Sequence, residues 1–221
     1  TQLVQWNATY TPNADFSGTD EIRYKVENPN NPFGESDEAI ISITINPVND
    51  IPVVDAVNDV NFDEDGSAST TVTYFDIDSD LTISLSSSNS DISVEFTANE
   101  SSAELLISAT DDYYGNGNIT VSIADEEVTT DVSFNVTVNA VNDAPVLSSV
   151  PDGLVELGNE FTFGVVASDV DNSVLSYSLS GAPTEMSVDG NGIISWFPSD
   201  IGDYSIAVTV NDGLLSISDS F

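Results

Sequence analysis

Two heptads, "VNDIPVV" at Val48–Val54 and "VNDAPVL" at Val141–Leu147, stand 93 positions apart. A second pair, "DFSGTDEI" at Asp15–Ile22 and "DYYGNGNI" at Asp112–Ile119, aligns without gaps at an offset of 97. The four-residue difference falls in "ENPNNPFGESDE" (Glu27–Glu38), which reads as a long hairpin connection. A fainter third copy places Gly202, Ile206 and Asp212 at 87 positions beyond Gly115, Ile119 and Asp125. A repeat of roughly 90 residues is too long for a solenoid unit and has the size of one small β-sandwich. The N-D-x-P motifs then mark the junctions between repeats. Each Pro, Pro52 or Pro145, fixes one backbone angle where the next repeat starts.

Within the repeats, apolar residues recur with period two. Ile41, Ile43 and Ile45 share one face of "ISITIN" while Ser42, Thr44 and Asn46 share the other. Val132, Phe134, Val136 and Val138 alternate in the same way in "VSFNVTV", as do Tyr204, Ile206, Val208 and Val210 in "YSIAVTV". Such segments are half-buried strands with one solvated face. Turn residues such as "DGNG" at Asp189–Gly192 punctuate them, and no stretch carries a helical period. The fold class expected is all-β: tandem Greek-key sandwiches in a linear array. The expected boundaries are 1–47 for the last strands of one module, 48–141 for a complete module and 142–221 for a module lacking its last strand. On this reading the chain is a section of a longer one. Its incomplete end modules would be completed by neighbouring sequence or by strands from other molecules.

Composition removes most chemistries. The 221 residues include 38 Asp+Glu against 2 Lys+Arg, with no His and no Cys, for a formal charge of -36. A hydrophobic content of 40% is enough for packed cores, so the acidity does not imply disorder. Without His or Cys there is no Ser-His-Asp triad, thiol nucleophile or ordinary zinc site. With only Arg23 and Lys25 as cations, nucleic acid and acidic membranes are repelled. No apolar run reaches the ~18 residues of a membrane span, so no membrane insertion is expected in this segment. Dense carboxylates suit hard cations, above all Ca²⁺ with its roughly 6–8 oxygen ligands. They also suit a surface adapted to salt, and the two readings are compatible.

The acids are not scattered at random. After Asp50 come Glu64 at +14, Asp76 and Asp78 at +26 and +28, and Asp125 at +75; after Asp143 come Glu156 at +13, Asp169 and Asp171 at +26 and +28, and Asp212 at +69. Strand alternation puts both Asp of each D-x-D pair on one side, where two carboxylates can converge on one ion. A single D-x-D in so acidic a chain means little, because Asp also caps turns. Two copies at equal distance from a repeated junction do not follow from turn chemistry alone.

These motifs give the chain a family resemblance. "YTPNADFSGTDEI" and "INPVNDIPV" resemble cadherins and, more closely, the cadherin-like modules of giant bacterial and archaeal surface proteins. The stretch from Leu175 to Gly213 resembles the dystroglycan-type cadherin-like and bacterial Ig-like variant. The resemblance implies Ca²⁺ between successive sandwiches. Its ligands would be an early acid, a loop Asp, the linker N-D, and the next module's D-x-D with its late Asp. Carried across, the first junction would use Asp15, Asn49, Asp50, Asp76, Asp78 and Asp125. The second would use Glu64, Asp111 or Asp112, Asn142, Asp143, Asp169, Asp171 and Asp212. Animal cadherin linkers carry a further Asp where this chain has Pro47 and Ala140, so one or two ions per junction are expected rather than three.

The function this implies is non-enzymatic: a Ca²⁺-stiffened structural or adhesive section of a microbial cell-surface or extracellular protein, in a marine or saline setting. Further repeats of the same chain would be its nearest partners. The alternatives are a building block of a surface layer or filament, held by homotypic lattice or strand-donation contacts, and an accessory module that binds polysaccharide. The last would need an exposed aromatic row, which Tyr113, Tyr114, Tyr177 and Tyr204 do not form in sequence. A two-carboxylate glycosidase would need a deep cleft that slender sandwiches do not offer. Trp196 and Tyr10 are expected in cores. The N-x-S/T sites at Asn7, Asn99, Asn118 and Asn135 are expected from composition alone.

Overall fold

The computed structural model describes residues 7–26, 34 and 37–221. The expected hairpin connection Glu27–Glu38 therefore lies mostly outside the described residues. All regular structure is β. β1 (Gly18–Tyr24) pairs antiparallel with β2 (Ala39–Ile45) from Gly18↔Ile45 to Tyr24↔Ala39. The middle repeat contributes β3 (Val53–Val54), β4 (Val60–Asp63), β5 (Ser67–Phe75), β6 (Thr82–Ser87), β7 (Ile92–Ala98), β8 (Ser102–Ala109), β9 (Gly115–Ala124) and β10 (Thr129–Asn139). They form two four-stranded sheets, ordered β3-β5-β8-β7 and β4-β10-β9-β6. Non-sequential neighbours in both sheets are the mark of a Greek-key sandwich.

The third repeat is built from shorter strands. β11 (Val146–Leu147) pairs with β13 (Ala167–Ser168). β12 (Phe161–Gly164), β16 (Ile193–Trp196) and β15 (Ser187–Val188) make a second sheet. β14 (Ser176–Ser180), β17 (Ala207–Asn211) and β18 (Ser216–Ser220) make a third. The chain divides into two compact units. One comprises 1–60, 68–107 and 117–136; the other comprises 61–67, 108–116 and 137–221.

Alternation decides what each strand buries. In β8, Ala103, Leu105 and Ile107 are fully buried, as are Ile119, Val121 and Ile123 in β9. Each of the Leu, Ile and Val side chains contributes roughly 1.5–3 kcal/mol by leaving water. β10 buries Phe134, Val136 and Val138 while Ser133, Asn135 and Thr137 face solvent, as its sequence predicts. In the third repeat Val150, Val165, Ile194, Val208 and Val210 form the core, with Phe161, Tyr177 and Met186 packed partly against it. The expected inward row of "YSIAVTV" holds at Ile206, Val208 and Val210, but Tyr204 is 39% exposed. In β2 the row Ile41, Ile43, Ile45 is only half covered, and Ile41 is 48% exposed.

"DGNG" is the turn between β15 and β16. Asp189 accepts hydrogen bonds from the N–H groups of Asn191 and Ile193, both at 2.8 Å, and Gly192 takes φ 77°, where a side chain would be strained. These two N–H groups, Ile193 first, hold the Asp189 carboxyl below its ordinary pKa.

Candidate metal centre

The linker Asn anchors each junction in the same way. Asn49 Nδ2 donates to the Asp50 carbonyl at 2.8 Å and to Asp125 Oδ2 at 2.9 Å. Ninety-three residues on, Asn142 Nδ2 donates to the Asp143 carbonyl at 2.7 Å and to Asp212 Oδ2 at 2.7 Å. The other oxygen of each late Asp caps a turn: Asp125 accepts from Glu127 and Val128, and Asp212 from Leu214 and Leu215. The amide and these N–H groups hold both carboxyls, Asp125 and Asp212, below the usual carboxylate range. The side-chain bond to Asn is the largest cause in each case.

Each D-x-D pair repeats a second local pattern. Asp76 Oδ1 accepts from the N–H groups of Asp78 and Ser79 at 3.0 and 2.9 Å. Asp169 Oδ1 accepts from Asp171 and Asn172 at 2.9 and 2.7 Å. One oxygen of each leading Asp is thus consumed in closing its own turn. The other is left over: Asp76 Oδ2 and Asp169 Oδ2 are buried and have no hydrogen-bond partner. Ser79 and Asn172 then reach the side-chain oxygen of Asn49 and Asn142, tying each turn to its linker.

At the second junction the linker itself becomes the centre. The Asp143 N–H donates to Asp171 Oδ2 at 2.8 Å, while Asp143 Oδ2 is buried and unpartnered. Glu64 is 5% exposed. Its Oε1 accepts the Val141 N–H at 2.5 Å, and its Oε2 is again buried without a partner. Glu64, Asp143 and Asp171 bring carboxylate oxygens within 4.8 Å of one another, and so do Asp65, Asp112 and Asp143. Asp143 belongs to both groups. Desolvation pushes its carboxyl above the ordinary value, and the charges of Asp65, Asp112, Asp171 and Glu64 push it the same way. In the first junction Asp78, the counterpart of Asp171, is raised by desolvation and by neighbouring Asp76.

Buried carboxylate oxygens without partners are costly, and unpaired negative charges held this close repel one another. This donor set fits a hard divalent cation: oxygen ligands only, several of them anionic, on short loops.

Of the residues singled out in the sequence, Glu64, Asp112, Asp143 and Asp171 fall in the two acid groups of the second junction, and hydrogen bonds join Asn49 to Asp125 and Asn142 to Asp212. Asp112, not Asp111, joins the second cluster. Asp65 joins it as well, its Oδ1 accepting the Asp112 N–H at 3.1 Å. Asp15 sits in the same left-handed conformation as Asp112, φ 59° against 57°. Among the described residues, however, Asp15 does not enter a cluster of three acids. Trp196 is half-buried and lies edge-on to Tyr204, ring centroids 5.1 Å apart, on the wall of a cavity rather than inside the core where it was expected. Tyr10, also expected in a core, is half-buried and donates from its hydroxyl to Asp20.

Residues 142–219 match the family model of the bacterial Ig domain. The match covers the third repeat of a chain whose regular structure is all β. Among solved structures, the protocadherin gammaB7 EC3-6 cis-dimer is similar at 17% identity and TM-score 0.46, over 92% of this chain and 57% of that one. Human protocadherin-24 EC1-2 is similar at 18% identity and TM-score 0.44, over 78% of this chain and 95% of that one. An endo-fucoidan hydrolase of glycoside hydrolase family 107 is similar at 17% identity and TM-score 0.41, over 95% of this chain. The match spans 34% of the hydrolase chain. No curated protein matches the chain. Among the described residues, no helix is long and apolar enough to cross a membrane.

Proposed function

We propose that the chain is a Ca²⁺-stiffened structural or adhesive section of an extracellular surface protein, without catalytic activity. The observation that carries this reading is the set of four buried, unpartnered carboxylate oxygens on Glu64, Asp76, Asp143 and Asp169. At the second junction Glu64, Asp65, Asp112, Asp143 and Asp171 supply the acids, and Asn142 orients Asp212 beside the linker. At the first, Asp50, Asp76, Asp78 and Asp125 take the corresponding places, with Asp15 from the preceding repeat.

Bound there, Ca²⁺ would supply positive charge to carboxylates that otherwise repel one another. The residues of the chain do the rest. Asn49 and Asn142 fix the linker against the late Asp, and Asp76 and Asp169 close the turns that aim their spare oxygens. Because the acids of the second junction come from two successive repeats and the linker, filling that cluster would restrain the linker. The resemblance to surface-protein repeats and the bacterial Ig match over 142–219 support an extracellular setting. There, sites with dissociation constants of roughly 10⁻⁴–10⁻³ M are sufficient.

The test is thermal unfolding in chelator and in millimolar Ca²⁺, with isothermal titration calorimetry for stoichiometry. The expected result is a rise in melting temperature with Ca²⁺ that Asp143→Asn reduces and the combined Asp76→Asn and Asp169→Asn variant abolishes. Melting temperatures that ignore Ca²⁺ in the unmodified chain would reduce the clusters to turn chemistry on a salt-adapted surface.

A further inference from the structure

The two sheets of the middle repeat end in four edge strands, β3 and β7 on one and β4 and β6 on the other. An open edge offers unpaired N–H and C=O groups to any other strand, and proteins guard it with charge, Pro or brevity. Three of these edges are guarded. β3 has two residues and lies between Pro52 and Asp55. β4 carries Asp63 and follows Asp59, and β7 carries Glu95. β6 has no such guard: "LTISLSSSNS" at Leu81–Ser90 holds no charge, Pro or Gly. The same strand is bare in the third repeat. There β14 is the edge of its sheet, and "LSYSLS" at Leu175–Ser180 repeats the pattern of "LTISLS" at Leu81–Ser86.

The register shows which backbone groups of β6 are open. β6 pairs with β9 from Thr82↔Ala124 to Ser87↔Ile119. One step further in that register, the Ser88 N–H donates to the Asn118 carbonyl at 2.9 Å. Bonded residues alternate along an antiparallel strand, so Thr82, Ser84 and Ser86 turn their backbone groups to β9. Those of Ile83, Leu85 and Ser87 point the other way, off the edge of the sheet. Side chains alternate too: Ser84 and Ser86 are exposed, while Ile83 and Leu85 are half-buried on the inner face. Ser86 stands opposite Thr120, whose hydroxyl shares a 2.9 Å hydrogen bond with that of Ser133 on β10. Neutral hydroxyls therefore line the solvated face beside the edge.

We propose that β6 is a homotypic pairing edge, which binds β6 of a second copy of the chain antiparallel about a twofold axis. Charge selects this occupant. Two chains of formal charge -36 repel one another over most of their surfaces, and a basic strand would be drawn to the acids rather than to a neutral edge. Along β6 a second acidic chain approaches without bringing carboxylates together. With Leu85 opposite Leu85 of the second copy, Ile83 faces Ser87, Ser84 faces Ser86 and Asp80 faces Ser90. The odd-numbered pairs exchange the N–H···O bonds that β6 leaves open, and the two sheets become one. The contact is small, so the association is a weak one that high concentration and salt favour.

The experiment is sedimentation velocity over a dilution series, run in chelator so that the outcome is independent of Ca²⁺. The expected result is a monomer–dimer equilibrium whose dissociation constant falls about tenfold between about 0.05 and 0.5 M NaCl, as screening relieves the repulsion. Amide hydrogen exchange at the concentration that forms dimer locates the contact. Exchange should slow at Ile83, Leu85 and Ser87. It should be unchanged at Ser84 and Ser86, whose N–H groups already bond to β9.

Ser84→Glu with Ser86→Glu should remove that protection and weaken dimerisation about tenfold or more, because like charges then face each other across the edge. Thr71→Glu with Thr97→Glu adds the same charge at exposed positions of β5 and β7 and should change the dissociation constant by less than about twofold. Equal loss in both double variants would reduce the effect to overall charge and overturn the proposal. So would a monomer at every concentration, or protection that falls on another strand in place of β6.

Discussion

Glu64 carries the sharpest single-residue prediction because its two oxygens have different employment. Oε1 holds the Val141 N–H at the start of the linker, and Oε2 is buried with nothing to bond. Glu64→Gln keeps an acceptor for Val141 and removes one charge from the group it forms with Asp143 and Asp171. The variant should melt higher than the unmodified chain in chelator and gain less from Ca²⁺, a reversal of order readable by differential scanning calorimetry. Acid stability is set by other carboxylates. Asp219 accepts the Val150 N–H at 2.8 Å and the Ser220 N–H, and these bonds, Val150 first, lower its pKa from 3.8. A depressed carboxyl stabilises the fold above its unfolded pKa, and that contribution fades as pH falls through the lower folded value. Between about pH 5 and 2.5, Asp219→Asn should therefore flatten the loss of urea resistance relative to the unmodified chain.

Asp219 carries no signal in the sequence, and that of Asp65 is faint. Asp219 lies among Ser and Asp in "SISDSF" with nothing to distinguish it, and its partner Val150 is 69 residues away. Asp65 was hidden by Glu64 beside it. Its signal was the tight "DEDG" turn, in which Asp65 adopts φ 60° and so points its carboxylate at the Asp112 N–H. By contrast the N-D linkers and D-x-D pairs were legible, because repetition at a fixed distance distinguishes a shared geometry from a local turn.

Among elements, burial separates strands that look alike in sequence. β2 and β8 both alternate, yet Ile41 is 48% exposed and Ile107 is fully buried. Ile107→Ala should cost about 2–5 kcal/mol, combining lost transfer energy with the cavity left behind, while Ile41→Ala should cost well under half of that. Denaturant unfolding monitored by tryptophan and far-ultraviolet signals measures both. The described β1 and β2 form a two-stranded sheet, and a hairpin of that kind is marginal by itself in water. Amide hydrogen exchange should accordingly be faster in β1–β2 than in β8, β9 and β10, whose inward faces are closed. Period-two patterning revealed the strands, but it carries no information on which faces find cover. That depends on non-local pairing such as β4 with β10 and β3 with β5. The short strands β11, β13 and β15, two residues each, were beyond the reach of any periodicity.

For the whole chain, two effects of cations must be separated. A formal charge of -36 destabilises any compact state by self-repulsion, and any salt relieves part of that. Screening depends on ionic strength, with a Debye length of about 10 Å at 0.1 M, and it does not saturate at a stoichiometric ratio. Site binding does saturate, and it stabilises in proportion to the logarithm of ligand over dissociation constant. At matched ionic strength, Na⁺ should raise the melting temperature gradually and Mg²⁺ only somewhat more, since Mg²⁺ dehydrates reluctantly and requires an octahedral cage.

Ca²⁺ should add a further increment that levels off in the millimolar range. The second junction should fill first, because its described acids form two groups sharing Asp143 while the first junction's described acids form no such group. Calorimetric titration of the unmodified chain against Asp143→Asn and Asp78→Asn assigns the two phases. If Asp143→Asn removes the weaker phase and leaves the stronger one, the order of filling is reversed. The burial of the spare oxygens at Glu64 and Asp143 would then cost more than the extra negative charge returns.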